Sequence, residues 1–150
     1  MLGLLALLGF GLSMAGPAWR DQVQRERETE WLRIGTLYAQ ALDSYVQSAP
    51  GSMTQPPAQL DDLLLDTRFI GVRRHLRQTY TDPLQPTLPW QLLRDEEGRI
   101  VGVFSSFEAT PFLTQPPAGS RVQWRPQGSG YSRWAFVVAA LPTNPSASIR

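Results

Sequence analysis

One stretch governs what this chain can fold into. Residues 2–47 begin as an uncharged apolar run and pass directly into a charged, helix-patterned segment. The run at residues 2–18 reads LGLLALLGFGLSMAGPA, seventeen residues without an ionisable side chain. At about 1.5 Å per helical residue it spans ~26 Å, against a hydrocarbon core of ~30 Å. Ends that adapt close the difference. Leu2, Leu4, Leu5, Leu7, Leu8, Phe10 and Leu12 are then expected to form the membrane-anchoring surface, with Pro17 loosening the helix where it leaves the membrane. Gly3, Gly9, Gly11 and Gly16 lower helix propensity in water but permit close helix–helix approach in lipid.

Two other readings stand beside a retained anchor. Ser13-Met14-Ala15 suits signal cleavage after Ala15, although no Lys or Arg precedes the apolar run. The third is a helix buried in a soluble core. Charge bias does not set an orientation, because Arg20, Arg25 and Arg27 mingle with Asp21, Glu26 and Glu28.

Beyond the run, Trp31, Ile34, Tyr38, Ala41 and Tyr45 recur at steps of three and four, which draws one apolar stripe along a helix. The expected helix covers residues 20–47, about seven turns. Asp21 with Arg25 and Glu30 with Arg33 make favourable pairs along it, and the charge run reads as a solvated face. Trp31, Ile34, Tyr38 and Tyr45 are expected to pack on a sheet with Trp134 and Phe136. Pro50 ends the helix and Gly51 suits its cap.

Composition narrows the function classes. A chain of 150 residues favours one domain, and the charges nearly cancel at 14 basic against 13 acidic, so no broad field points to nucleic acid. All the basic side chains are arginine, and nothing physical explains the missing lysine. The absence of cysteine excludes disulfides, thiolate metal sites and a cysteine nucleophile. Thirteen prolines and 12 glycines foretell abundant loops.

The remaining segments read in order. Pro57 sits well as the first residue of a short helix with Leu60, Leu63 and Leu64 inward. Asp61, Asp62 and Asp66 resemble a metal cluster at first sight, but carboxylates in a first turn complement the helix dipole. Arg73, Arg74, His75 and Arg77 form a basic knot, either ordinary surface charge or a place for a phosphate or lipid head group. His75 is the single histidine, with no serine or carboxylate at a telling spacing. After the Asp82-Pro83 turn, residues 90–94 and 100–104 read as strands of a hairpin closed by Asp95-Glu96-Glu97-Gly98. Three consecutive acids there do not make a calcium cage. Residues 105–130 read as irregular, with a short strand at 122–124, and form the surface expected to meet a partner or cargo. Residues 132–141 read as the last strand, and a small polar tail follows Pro142.

The order of these parts resembles the pseudopilins of type II secretion systems and the minor pilin-like proteins related to type IV pili. LGLLALLGFGLSMAG is similar to the membrane half of the pilin helix. Arg25-Glu26-Arg27-Glu28 with Glu30 and Leu32 resembles the RERE-x-EL run of a bacterial pseudopilin-like subgroup, and residues 57–64 its P-x-x-L-x-x-L-L segment. Arg74-His75-Leu76-Arg77, Tyr80, Asp82-Pro83, Trp90, Gly102-Val103, Ser105 and Trp134-x-Phe136 fall in that subgroup's order. The resemblance covers roughly residues 2–138.

It implies an α+β, pilin-like fold: a long N-terminal helix, membrane-spanning in its first half, on a small antiparallel sheet of three or four strands. Residues 1–19 would be the transmembrane half, 20–141 the periplasmic domain and 142–150 a disordered tail. It further implies a single-pass protein of the bacterial inner membrane that assembles with other pilin-like subunits and secretion or pilus assembly proteins. Its partners would be inner-membrane lipid and those proteins, with no nucleic acid and no small-molecule substrate. The family carries a leader ending in Gly, a Gly-Phe-Thr junction and a glutamate where Gly3 stands. This sequence shows none of the three, which implies a start further upstream or different processing, and a minor, initiating or non-polymerising subunit rather than a major pilin. A periplasmic binding module, anchored or released, is the alternative. No nucleophile–base–orienter set, metal-ligand spacing or phosphate-cradling glycine motif points to an enzyme, a cofactor or a metal.

Overall fold

The computed structural model describes the backbone of residues 2–51 and 54–139, and the side chains of 18–51 and 54–139. The fold is α+β. A single helix α1 (Leu2–Gln47) is followed by a one-turn helix α2 (Asp61–Leu64) and the strands β1 (Gln91–Arg94), β2 (Ile100–Phe104), β3 (Val122–Trp124) and β4 (Trp134–Val137). All pairings are antiparallel, in the spatial order β1-β2-β4-β3. Among the described residues no helix is long and apolar enough to cross a membrane. The side chains of Leu2, Leu4, Leu5, Leu7, Leu8, Phe10, Leu12 and Pro17 lie outside those described residues.

The stripe on α1 becomes the core. Trp31 is fully buried, with its ring centroid 4.9 Å from Phe136, 5.2 Å from Tyr131 and 6.2 Å from Trp134. The first two contacts are edge-on, the arrangement that aromatic quadrupoles favour. Seven residues on, Tyr38 lies 5.7 Å from Trp90 and 6.3 Å from Tyr80. Its hydroxyl donates to the Tyr80 carbonyl and accepts from the Tyr80 N–H, and burial pushes its pKa up. Seven further on, Tyr45 meets His75 at 5.4 Å. Ile34, Ala41 and Leu42 fill the intervals. Packing this dense leaves the indole N–H groups of Trp31 and Trp90 buried without hydrogen-bond partners among the described residues.

Gly35 sets how closely α1 approaches the sheet. A Cβ built there would overlap the ring of Phe136, so the ring occupies the space that any other residue would need. Gly102 on β2 plays the same part, since a Cβ there would lie 2.6 Å from the carbonyl oxygen of Phe136.

Two local expectations are corrected. Pro57 does not open the short helix. It is buried in an extended segment, where its carbonyl accepts from Ile100 N–H and that of Pro56 from Arg99 Nη1, and only residues 61–64 turn helical. Asp61 and Asp62 occupy the first turn and Asp66 lies past the helix, while Leu60, Leu63 and Leu64 face the core as expected, Leu63 fully buried and the other two partly. The last strand is shorter than residues 132–141. Ser129 and Ser132 cap a 3-10 turn over Gly130–Arg133, and past Val137 the Ala139 N–H goes to the Asp43 carboxylate instead of a strand neighbour. Leu141 and the tail at 142–150 lie outside the described residues.

The β1–β2 turn has a plain structural cause. Asp95 Oδ1 accepts from the N–H groups of Glu97 and Arg99, and Gly98 takes φ +78°.

Gly35→Ala gains about 1 kcal/mol of helix propensity, but overpacking against Phe136 costs about 1–3 kcal/mol. Urea unfolding should therefore show net destabilisation. Combined with Phe136→Leu, the alanine should become neutral or favourable, which a double-mutant cycle reads as coupling.

Candidate functional site

The densest polar cluster gathers where α1 ends. Asp66, 1% exposed, receives Arg68 on both oxygens, Nε to Oδ1 at 2.9 Å and Nη2 to Oδ2 at 2.7 Å. The Arg68 backbone N–H adds a third bond at 3.0 Å. Arg68 also donates to the Tyr45 carbonyl, and its guanidinium lies 3.5 Å above the Tyr45 ring. His75 Nε2 is 3.0 Å from Asp66 Oδ2, and its Nδ1 is 2.8 Å from Ser44 Oγ. An ionised carboxylate only accepts, so Nε2 donates to Asp66, and Nδ1 on the other side of the ring pairs with the Ser44 hydroxyl. Hydrogen bonds from Arg68 hold the Asp66 carboxyl well below the usual carboxylate range, with a smaller contribution from His75 and against the opposing effect of burial.

Serine, histidine and aspartate in a hydrogen-bonded chain have the composition of a nucleophilic triad. Local spacing does not reveal it, because Ser44 and Asp66 lie 31 and 9 residues from His75. The geometry serves attachment better than catalysis. Arg68 already neutralises the carboxylate, and Ser44 sits inside α1, where backbone N–H groups are spent on the helix and offer no oxyanion hole. What the cluster does is fasten the 66–75 segment to the helix.

The basic knot is spread out. Arg73 donates to Ser48 Oγ and lies 4.6 Å from the Phe69 ring, while Arg74 and Arg77 are exposed beside exposed Ile70 and Val72. Arg73 also borders an open polar cleft of about 480 Å³, together with Gln40, Asp43, Ser44, Gln47, Ser48 and Arg121. Asp43 pairs with Arg121 and holds the Ala139 N–H, closing the far end of the sheet on α1. Asp61 and Asp62 stay apart from Asp66 in role, Asp62 accepting from Gln59 N–H. Among the described residues no group of three or more His, Asp or Glu side chains is placed to hold a metal ion.

The irregular segment at 105–130 divides into two kinds of residue. Glu28, 3% exposed, accepts from the Leu113 N–H, and Gln24 donates to the Thr110 carbonyl. Arg25 covers the Phe112 ring at 4.5 Å, and Phe107 stacks on Tyr131. Ser105 is fully buried and donates to Asp82, itself 1% exposed. These residues belong to the domain's packing. Residues 114–119 are the segment's longest run exposed throughout, and Glu108, Thr110, Gln123, Trp124, Pro126, Gln127 and Ser129 are exposed as well, Trp124 being a large apolar side chain left open to solvent.

The anticipated packing residues Trp31, Ile34, Tyr38, Tyr45, Trp134 and Phe136 are all buried and lie in one core. No family model, curated protein or solved structure matches the chain.

Two outcomes follow from this geometry. Asp66→Asn should cost about 3 kcal/mol near neutral pH, since it leaves Arg68 and His75 without their anion. The Asp66 contribution is present above its ordinary pKa of 3.8 and is lost as pH falls toward the depressed folded value. The variant should therefore show a flatter acid limb in unfolding measured from pH 7 to pH 2. Thr114→Ala and Gln115→Glu should leave the unfolding free energy within about 0.5 kcal/mol of the parent, whereas Phe107→Ala should lower it by about 3 kcal/mol.

Proposed function

We propose that the chain is a membrane-anchored, pseudopilin-like structural subunit of a type II secretion or type IV pilus-type assembly. It sits in the bacterial inner membrane as a single-pass protein, with residues 20–141 in the periplasm, and assembles through its N-terminal helix with other pilin-like subunits. One observation carries the reading. Ala18, Trp19, Arg20, Asp21 and Gln22 are all exposed, so the folded body ends near Val23, and α1 runs on from there to Leu2 through the apolar run. An apolar helix projecting from a polar body is stable in lipid or against other such helices, and unfavourable in water.

The outer face of α1 strengthens the division. Glu26, Thr29, Arg33, Gln40, Ser44 and Gln47 are exposed and polar, which offers little drive for bundling along the periplasmic half. Association is thereby concentrated in residues 2–18. Repeated head-to-tail contact between such helices is heterologous and propagates as a helix. With Gly3 where the family has a glutamate, a minor or initiating role fits better than that of a major pilin.

The second reading, a periplasmic binding module released by cleavage after Ala15, draws on the polar cleft beside Arg73 and Arg121.

The test is fractionation with cross-linking. The parent chain should resist alkaline extraction from membranes, and Leu5→Arg with Leu8→Arg, about 3 kcal/mol each at a helix centre, should release a folded soluble domain. Leu8→Cys, in a chain without native cysteine, should cross-link to neighbouring subunits in the membrane. A soluble parent sinks the anchor, and an anchored protein that stays strictly monomeric sinks the assembly role.

A further inference from the structure

We propose that the groove where α1 enters the folded body seats the phosphate of an anionic phospholipid, an inference that rests on the reading of residues 2–18 as a retained anchor. The groove, about 270 Å³, has an apolar floor of Val23, Leu84 and Phe107 and a cationic rim of Arg20 and Arg27. On α1 the positions 20, 23 and 27 follow the three- and four-residue steps of the core stripe. The helix face that meets Phe136 at Trp31 therefore faces this groove one and two turns earlier.

The charge is unbalanced. Arg20 and Arg27 are exposed and have no ion pair or hydrogen-bond partner among the described residues, and no carboxylate lines the groove. The nearest acids in sequence serve elsewhere or stand outside the lining. Glu28 holds Leu113 N–H, Glu26 accepts from Gln22, and Asp21 and Glu108 are exposed.

Position selects a lipid over other anions. Arg20 follows the apolar run by two residues, ~3 Å along the axis, and Arg27 by nine, ~14 Å. The headgroup layer is roughly 5–8 Å deep on each side of the hydrocarbon. Side chains on a helix lean toward its N-terminus, which carries both guanidinium groups back toward that layer. Trp19, 70% exposed at the groove's edge, has the amphipathic ring that settles at the same depth. A phosphodiester between the two arginines would replace their water with charge-assisted hydrogen bonds, while the glycerol and upper acyl carbons cover Val23, Leu84 and Phe107.

The experiment uses the full chain in nanodiscs of phosphatidylcholine, with phosphatidylglycerol titrated in and retained lipid read by native mass spectrometry. Membrane fractionation of the same protein is done in parallel. The parent should retain phosphatidylglycerol over phosphatidylcholine by about tenfold or more. Arg20→Gln with Arg27→Gln should remove the preference, while Arg74→Gln with Arg77→Gln keeps it. Equal loss in both pairs would mean general surface charge and overturn the groove. Displacement of the lipid by millimolar inorganic phosphate would overturn the lipid assignment in favour of a free anion. A parent found in the membrane fraction without lipid preference defeats this inference and leaves the anchor standing. A parent absent from that fraction defeats the anchor itself.

Discussion

The contact between Trp31 and Phe136 is the joint on which the rest of the molecule depends. Neither partner element stands alone. The strands are three to five residues long, too short for an independent sheet, and α1 carries its apolar residues on one side that water would not tolerate. Gly35 lets the helix axis close on the Phe136 ring, and Tyr131 and Trp134 wall in Trp31 from the adjoining turn and strand. Along the same face, Tyr38 and Tyr45 repeat the joint against Trp90 and His75. The aromatic sevenfold spacing thus determines where the sheet lies on the helix, and hence which helix faces remain free.

Much of this is legible in the sequence, because it depends on periodicity. The stripe at 31, 34, 38, 41 and 45 and the two strands around an Asp-to-Gly turn are local signals, and their elements formed at or near the expected residues. What escaped depends on side chains far apart in sequence. Glu28 lies within a charge run that reads as solvated, yet it is buried because Leu113 N–H needs an acceptor. Ser44, Asp66 and His75 come together only because the chain folds back from α2 along α1. Pro57 has the local marks of a helix start, but Ile100 N–H claims its carbonyl and keeps it extended. Within 105–130 distant polar anchors, invisible to pattern, tie Ser105 to Asp82 and Thr110 and Leu113 to α1, while 114–119 and Trp124 stay exposed.

Function, in the reading proposed, follows from the two ends of α1 doing different work. The C-terminal part is claimed on one face by the sheet and on its last turns by the Asp66 cluster and the Asp43–Arg121 pair, with a polar outer face left to solvent. The N-terminal part leaves the body at Val23 and runs into residues 2–18, which carry no ionisable side chain. A sheet-braced helix continuing into an apolar segment suits a subunit whose domain must be held close to a bilayer. The exposed loop at 114–119 and the basic tip around Ile70 and Val72 then lie on the domain, free to differ between related subunits without disturbing the joint.

The most direct measurement on the central claim is the mature N-terminus, by intact mass and N-terminal sequencing of protein taken from the membrane fraction. A protein that keeps residues 2–18 is the expected result, and it makes the apolar half of α1 part of the working molecule. A soluble protein beginning at Gly16 would contradict it. The run would then be a cleaved signal, assembly through the helix would have no physical basis, and the sheet-braced domain would act as a free periplasmic module.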